Sequence, residues 1–481
     1  MSIAQDGESS QTPRNGEWPV DPQEDVQVSE DRIWVDGCFD FQHHGHAGAM
    51  LQARQLGTEL WVGVHSDEAI LENKGPTVMT LEERIYATEA CRWVTRAVPY
   101  APYVTSLPWI THYGCEYVVH GDDITSDSGG EDCYRFVKAA GRFKVVSRTP
   151  SISTTELVGR MLLCTKTHFI HNLEAVLNGE EGPGADQERK ATGADMKTRI
   201  EAYATDESGR APGASVWLWH PPHDRDPSHL LPHTTVNLPE HEHAPGSFYN
   251  LVSGRDAHHD QRIIYVDGSW DLFSSGHIEF LRLVTEKETY LGHQHGWDSA
   301  DRAAERIERA GWDYPPFYLI AGIHDDDVIN YWRGINYPIM NIYERLLCLL
   351  PCRYIHGVVV SAPFMPNHVY LSSLPYCKGK GPPQQVYHGP TGGIKLPQDP
   401  YTDARHLGIF TEIGEHDWSE VGASSIVERI LKSRAMYEER QRVKGVKGLG
   451  EEAVRKREEE ERKAEELRER RLREAREDAN R

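Results

Sequence analysis

The chain has no uninterrupted apolar run of the roughly 20 residues that a membrane-spanning helix needs, and it does not open on a charged-then-apolar leader. A cytoplasmic protein is the expectation. It is poor in cysteine, with 8 in 481 residues, mostly far apart. Only Cys348 and Cys352 sit close, in Cys-Leu-Leu-Pro-Cys, and no further ligand spacing surrounds them. Buried thiols are expected there rather than zinc or a disulfide. The chain also lacks an excess of positive charge, with 52 Lys and Arg against 74 Asp and Glu, a net charge of −22. Nothing would offset the repulsion of a nucleic-acid backbone, which excludes duplex nucleic acid as a partner. At this length one ordinary core is not enough, so two domains and connecting segments are expected.

What is present is organised around Val35-Asp-Gly-Cys-Phe-Asp-Phe-Gln-His-His-Gly-His-Ala-Gly-Ala-Met50. Ile33-Trp34-Val35 ahead of it reads as a short buried strand. Ala47 to Leu56 behind it has helical spacing, with Gly57 as a stop. The turn between them would present backbone N–H groups and a helix dipole to an anion. His43 and His46 bracket Gly45, where the missing side chain admits a phosphate and two imidazoles can donate to it. Alone, the motif equally fits a loop that merely contains histidines. Asp36-Gly37 adds that the pair lies at the carboxyl end of a parallel strand.

Residues 1–30 are polar and rich in Gly, Pro, Ser and Gln, which predicts disorder. From 31 to 165 apolar strands alternate with helical stretches. The strands fall at Leu60 to His65, within Val94 to Tyr103, at Tyr117 to His120 and at Phe143 to Val146. Thr80 and Glu83 have capping-box spacing and open a helix to about Trp93. Such alternation predicts right-handed crossovers and a parallel sheet, a Rossmann-like doubly wound α/β domain. The domain closes with Arg148-Thr-Pro-Ser-Ile-Ser-Thr-Thr-Glu156, where Ser153 would cap a helix starting at Thr154 and Arg148 stands nearby as a charge clamp. The His pair, Lys74 in the turn after the second strand, and this block all lie where strands end, so they can converge on one triphosphate.

Residues 166–261 read as a linker, partly disordered; the histidines from His220 to His243 lie in Pro- and Asp-rich surroundings and read as a solvated loop. The chain then repeats itself. Ile263 to His277 restates Ile33 to His46, Leu319 to Asp325 restates Leu60 to Ser66, and Met340 to Arg345 restates Met79 to Arg84. The second copy, 262–436, has lost chemistry: Ser274 stands for His43, Arg333 roughly for Lys74, and Gly422-Ala-Ser-Ser425 has no preceding Arg-Thr. It is expected to be a partner or lid. The tail from 437 to 481 is almost all Glu, Lys and Arg without an apolar stripe, a solvated charged helix rather than a membrane-binding one.

Together, H-x-G-H, the lysine after strand two, His120-Gly-Asp-Asp123 and Arg-Thr-x-x-Ile-Ser-Thr resemble the cytidylyltransferases, closely over about 31–165 and loosely over 261–436. The tandem arrangement is similar to the branch of that family acting on phosphoethanolamine. The family usually has glycine before the isoleucine, where Pro150-Ser151 stand here. The resemblance implies two nucleotidyltransferase domains in tandem and transfer of CMP from CTP to phosphoethanolamine, giving CDP-ethanolamine. It implies catalytic roles for His43, His46, Lys74 and Arg148, and CTP contacts from Gly37, Phe39, Gly45, Arg92, Thr149, Ser153 and Thr154. Asp36, Asp122, Tyr103 and Tyr134 match positions around the head group. Each has a plainer alternative: Lys74 an exposed turn lysine, Arg148 a surface charge, Asp36 a turn cap, Asp122 a structural turn. Magnesium is expected with CTP, although no carboxylate cage is visible. The choline and glycerol phosphate members share the CTP motifs, and a nucleotide-binding regulator without turnover is a third reading. Tyr103 where a fuller cage would carry Trp, and Thr125 where the choline enzymes have Tyr, suit a primary ammonium. Oligomeric state stays open.

Overall fold

The computed structural model describes residues 25–122, 125–150, 152–221, 246–389, 399–440 and 442. The expected disorder before residue 25, the histidine-rich loop at 222–245, Asp123, Ser151 and the tail from 443 fall outside these residues. Within them, order starts earlier than the composition of 1–30 suggests. Val26 N–H donates to His112 O at 3.1 Å and Ser29 N–H to Gly114 O at 3.0 Å, so the first strand begins at Ser29.

The first sheet has five parallel strands, β1 (Ser29–Gly37), β2 (Glu59–Val64), β3 (Arg96–Pro99), β4 (Cys115–Gly121) and β5 (Phe143–Val146), in the order β3-β2-β1-β4-β5. β1 is central, and its run Ile33-Trp34-Val35-Asp36 is buried on both faces, as a covered parallel strand requires. The chain winds outward through β2 and β3, then returns to β4 and β5. The reversal between β1 and β4 opens a crevice at the carboxyl ends of those strands. The helices are α1 (His44–Arg54), α2 (Asp67–Lys74), α3 (Leu81–Glu89), α4 (Leu107–His112), α5 (Arg135–Ala139) and α6 (Thr154–Leu163). The capping box at α3 is made: Glu83 N–H donates to Thr80 Oγ1 at 3.3 Å and Thr80 N–H to Glu83 Oε2 at 2.9 Å. Asn73-Lys74 close α2 instead of forming a separate turn; Gly75, at φ +91°, ends it.

The span 166–261 is more than a linker. It holds α7 (Leu173–Leu177), α8 (Asp186–Tyr203), β6 (Ser215–His220) and β7 (Ser247–Val252). β6 adds in parallel to β10 (Gly357–Val360), and β7 pairs antiparallel with β6. Ser-Val-Trp-Leu-Trp is buried throughout, and it sits as a strand between β7 and β10, the latter more than 130 residues away. β8 (Arg262–Gly268), β9 (Phe317–Ile323), β11 (Gln385–His388) and β12 (Phe410–Glu412) complete a sheet ordered β12-β11-β8-β9-β10-β6-β7.

The duplication holds down to buried polar side chains. Arg84 donates to Cys38 O, His65 O and Asp67, tying together the loops that leave β1 and β2; Arg345 donates to Ser269 O, His324 O and Asp326 in the second half. Both guanidinium side chains are fully buried, which a charge tolerates only when paired in this way. Asp40 accepts from Val78 and Met79 N–H, and Asp271 from Ile339 and Met340 N–H.

The halves meet across a seam whose contacts come in reciprocal pairs, as a two-fold interface demands. Arg160 forks onto Glu344 at 2.7 and 2.8 Å, and Arg429 onto Glu83 at 2.7 Å through both nitrogens. Arg92 Nη2 donates to Cys352 O and Ile355 O; Arg353 Nη2 donates to Cys91 O and Val94 O. A cavity of about 520 Å³ at this seam is lined by Arg54, Arg92, Arg255, Arg353, Trp93 and Trp312 among others. The eight cysteines are all free, including Cys348 and Cys352, both buried.

Candidate active site

The His pair is built on the first turn of α1. His43 is its N-cap, with Nδ1 accepting from Gly45 N–H at 3.2 Å. The His46 ring stacks on His43 with centroids 3.8 Å apart and planes 17° from parallel. Phe39 meets His46 edge-on at 5.4 Å. Phe39 adopts φ +55°, and a Cβ on Gly37 would lie 2.9 Å from its ring, so the glycine lets Phe39 fold back over the strand end.

The block after β5 packs directly on this turn. A Cβ at Gly45 would lie 2.9 Å from Ile152 Cγ2, and one at Gly48 would lie 2.3 Å from Thr149 Oγ1. Gln52 of α1 exchanges two hydrogen bonds with the Ser147 backbone, at 2.8 and 3.1 Å. Ser153 caps α6, its Oγ accepting from Glu156 N–H at 3.1 Å, and Thr154 is the first helical residue. Two helix N-termini, α1 and α6, therefore stand side by side at the carboxyl edge of the sheet. Their dipoles favour a polyanion between them. Arg148 is exposed on the same loop.

A second cluster centres on Asp36, 3% exposed at the end of β1. Its carboxylate accepts from Trp34 Nε1 at 2.9 Å, Thr105 Oγ1 at 2.6 Å and Tyr134 OH at 2.8 Å. Tyr134 packs against His120, centroids 4.7 Å apart. Tyr103 packs against His65 at 5.2 Å, and Lys74 Nζ lies 5.7 Å from the Tyr103 ring centroid. His65 Nδ1 donates to Ala101 O, 3.0 Å away; burial lowers its pKa, partly opposed by the Asp36 charge.

Two predicted residues stand elsewhere. Arg92 turns to the other half: its guanidinium is engaged with Cys352 and Ile355 carbonyls across the seam. It follows α3 into an antiparallel backbone pairing of residues 91 and 352, which turns it toward the other half. Asp122 is exposed and accepts from Arg148 N–H at 3.4 Å, on the rim rather than among the donors around Asp36. Trp34, Thr105, His65 and His120 are additions. Trp34 and Asp36 lie two apart on one strand, hence on one face, which is a readable signal; Thr105 offers none, because its reach to Asp36 depends on the fold. Among the described residues no group of three or more His, Cys, Asp or Glu is placed to hold a metal ion.

A family model described as cytidylyltransferase-like matches residues 34–160. An ethanolamine-phosphate cytidylyltransferase of Dictyostelium discoideum is 36% identical over 418 residues, covering 87% of this chain and 95% of that protein. One from Mus musculus is 36% identical over 423 residues, covering 87% of this chain and 90% of that protein. The chain belongs to the ethanolamine-phosphate cytidylyltransferase family. Choline-phosphate cytidylyltransferase A of Rattus norvegicus is also 36% identical, but over 152 residues, 31% of this chain and 41% of that protein.

In this cytidylyltransferase the second half uses its corresponding groups for packing. Ser274 Oγ donates to Val421 O at 2.8 Å. The His277 ring lies parallel to Phe273 at 5.8 Å, its Nδ1 accepts from Ser274 N–H, and burial pushes its pKa down to about 4. Arg333 sits over the Tyr337 ring and donates to Ser424 Oγ at 3.3 Å. Among the described residues no helix is long and apolar enough to cross a membrane.

Proposed function

We propose that the N-terminal half transfers CMP from CTP to phosphoethanolamine, giving CDP-ethanolamine and pyrophosphate for phosphatidylethanolamine synthesis. The observation that carries this reading is the reach of the similarity: it runs through both halves of the Dictyostelium discoideum relative, 95% of its length, whereas similarity to the Rattus norvegicus choline-phosphate relative stops at 31% of this chain. A phosphate oxygen of phosphoethanolamine attacks the α-phosphorus of CTP. The bond from that phosphorus to the bridging oxygen breaks, and its electron pair leaves with pyrophosphate. No covalent enzyme intermediate is required, so the protein contributes positioning and charge stabilisation.

In this reading His43 and His46 donate to the triphosphate. His43 Nδ1 already accepts a backbone N–H, which makes Nε2 the protonated, donating nitrogen. The N-termini of α1 and α6, with Gly45, Thr149, Ser153 and Thr154, cradle the phosphates, and Arg148 supplies charge from the rim. Lys74 bridges the phosphates of the two substrates. Asp36 receives the ammonium, with Tyr103 and Tyr134 as walls. The described side chains do not form a resident metal cage; magnesium would arrive as the counter-ion of the incoming CTP, offsetting the charge of its phosphates.

The test is a panel: full-length protein, CTP, and phosphoethanolamine, phosphocholine or glycerol 3-phosphate, followed by pyrophosphate release. Phosphoethanolamine is expected to exceed the others in kcat/KM by about tenfold or more, since a site built for a primary ammonium loses hydrogen bonds to a methylated one. Preference for another acceptor, or no release with any, would overturn the reading.

A further inference from the structure

The second half ends on the loop that follows Lys74. Past Lys432 and a turn at Ser433, residues 434–440 are again helical. Three side chains, Arg429 in the helix before it and two within this stretch, reach the first half. Arg429 forks onto Glu83 and lies 3.4 Å from Val78 O. Tyr437 OH donates to Thr77 O at 2.9 Å. Arg440 Nη1 donates to Pro76 O at 2.5 Å, and its guanidinium stands 3.7 Å from Asp40 Oδ2. A Cβ built on Gly75 would be 3.3 Å from Arg440 Cγ, so the arginine stem lies against the residue directly after Lys74.

The loop is thus gripped from two sides. From its own half, Asp40 accepts from Val78 N–H at 3.0 Å and Met79 N–H at 2.8 Å. From the other half, Tyr437 and Arg440 satisfy the carbonyls of residues 77 and 76. The Arg440 side chain is 14% exposed and that of Asp40 1%, so this is a desolvated contact and not a screened surface pair. Part of the grip has a counterpart across the seam: Arg160 holds Glu344 and Ile339 O, and His168 Nε2 lies 2.9 Å from Pro338 O. Arg440 adds its contact on the side that carries Lys74.

Lys74 ends a helix, and its ammonium sits on a flexible four-carbon stem. Where that ammonium can reach depends on where the backbone at 74–76 is held. A misplacement of about 1 Å at a reacting group can lower a rate by about 100-fold. We infer that Arg440 and Tyr437 are positioning residues for the transfer step: the half that lost its own chemistry holds the Lys74 loop of the other half in working geometry. This rests on the reading of Lys74 as the bridge between the substrates' phosphates.

The experiment is a double-mutant cycle in the full-length protein with Lys74→Ala, Arg440→Ala and the combined variant, alongside Arg440→Lys and Tyr437→Phe. All are assayed for CDP-ethanolamine formation well below their melting temperatures. Arg440→Ala is expected to lower kcat by about tenfold or more, while the CTP dissociation constant from calorimetry moves less than about twofold. Arg440→Lys, which can still donate to Pro76 O, recovers most of the loss; Tyr437→Phe shows a smaller loss in the same direction. In the Lys74→Ala background, Arg440→Ala costs less than about twofold more, because the group it positions is gone. An equal loss in both backgrounds would overturn the proposal, as would unchanged kcat in both Arg440→Ala and Tyr437→Phe. A Lys74→Ala protein with undiminished turnover would overturn the reading of Lys74 as well, which separates the two failures.

Discussion

Tyr134→Phe removes a single hydroxyl from the deepest polar cluster of the site. The ring contacts with His120 at 4.7 Å and Phe143 at 5.1 Å survive in phenylalanine, so the packing stays. What goes is the 2.8 Å bond to Asp36 Oδ1, one of three donors that hold this carboxylate at 3% exposure. Hydrogen bonds to a charged group contribute about 1.5–3 kcal/mol, and a buried acceptor left without its donor loses its orientation as well. At about 1.4 kcal/mol per tenfold, that is a loss of about 10- to 150-fold. The loss should fall on kcat/KM for phosphoethanolamine, because Asp36 and Tyr134 lie at the amine end, away from α1 and α6. Initial rates of pyrophosphate release, with phosphoethanolamine varied at saturating CTP and then the reverse, separate the two ends. The KM for CTP should move less than about twofold. Equal losses for both substrates, or none for either, would refute the assignment of Asp36 to the ammonium.

Three further outcomes are expected. His46→Ala should lower turnover by about 100-fold or more with the fold retained, whereas His277→Ala, whose ring packs on Phe273, should change kcat by less than about threefold; comparable losses would mean two working sites. Tyr103→Trp should raise the phosphocholine-to-phosphoethanolamine ratio by about threefold or more, since indole favours a methylated ammonium; an unchanged ratio removes Tyr103 from the pocket. His324 is 5% exposed, and burial pushes its pKa down to about 4 against about 6.5 in the unfolded chain. A base with a depressed folded pKa stabilises above its unfolded pKa and loses that contribution as pH falls toward the folded value. Between pH 7 and 5 the wild type should therefore lose about 2 kcal/mol that His324→Phe does not lose. Urea midpoints of both proteins at the two pH values measure this, and a constant gap counts against it.

Much of the site was legible because its residues sit in local patterns: H-x-G-H at a strand-to-helix turn, a capping serine three residues before glutamate, and alternation of strand with helix. The repeat was legible for the same reason, since whole blocks recur in order. What escaped depended on tertiary partners. Ser215 to His220 is a strand through its pairing with β10 and β7. Arg92 follows a helix on the same half as the His pair, and nothing local says that its guanidinium crosses to Cys352 and Ile355. Thr105 reaches Asp36 from 69 residues away. Tyr203 donates to His44 O from the end of α8, inside the span whose Gly, Glu and Lys content reads as linker.

The reciprocal contacts fall on the frame of each half and leave its chemistry out. Glu83 and Glu344 are the capping-box residues of their helices, and each is gripped by an arginine from the other half's closing helix. Arg92 and Arg353 cap backbone carbonyls, for which the side chains on the partner loop are immaterial. By contrast, His43, His46 and Lys74 take no part in these pairs, and neither do Ser274, His277 or Arg333. A serine in the second half where the first has His43 therefore leaves the seam intact. Replacing Arg429 by alanine, with the second half still in place over Glu83, would leave a carboxylate that is 2% exposed without its charge partner, and a carboxylate so buried is costly to leave unpaired. Dependence of this kind explains how a half can lose its own site and still be needed by the site next to it.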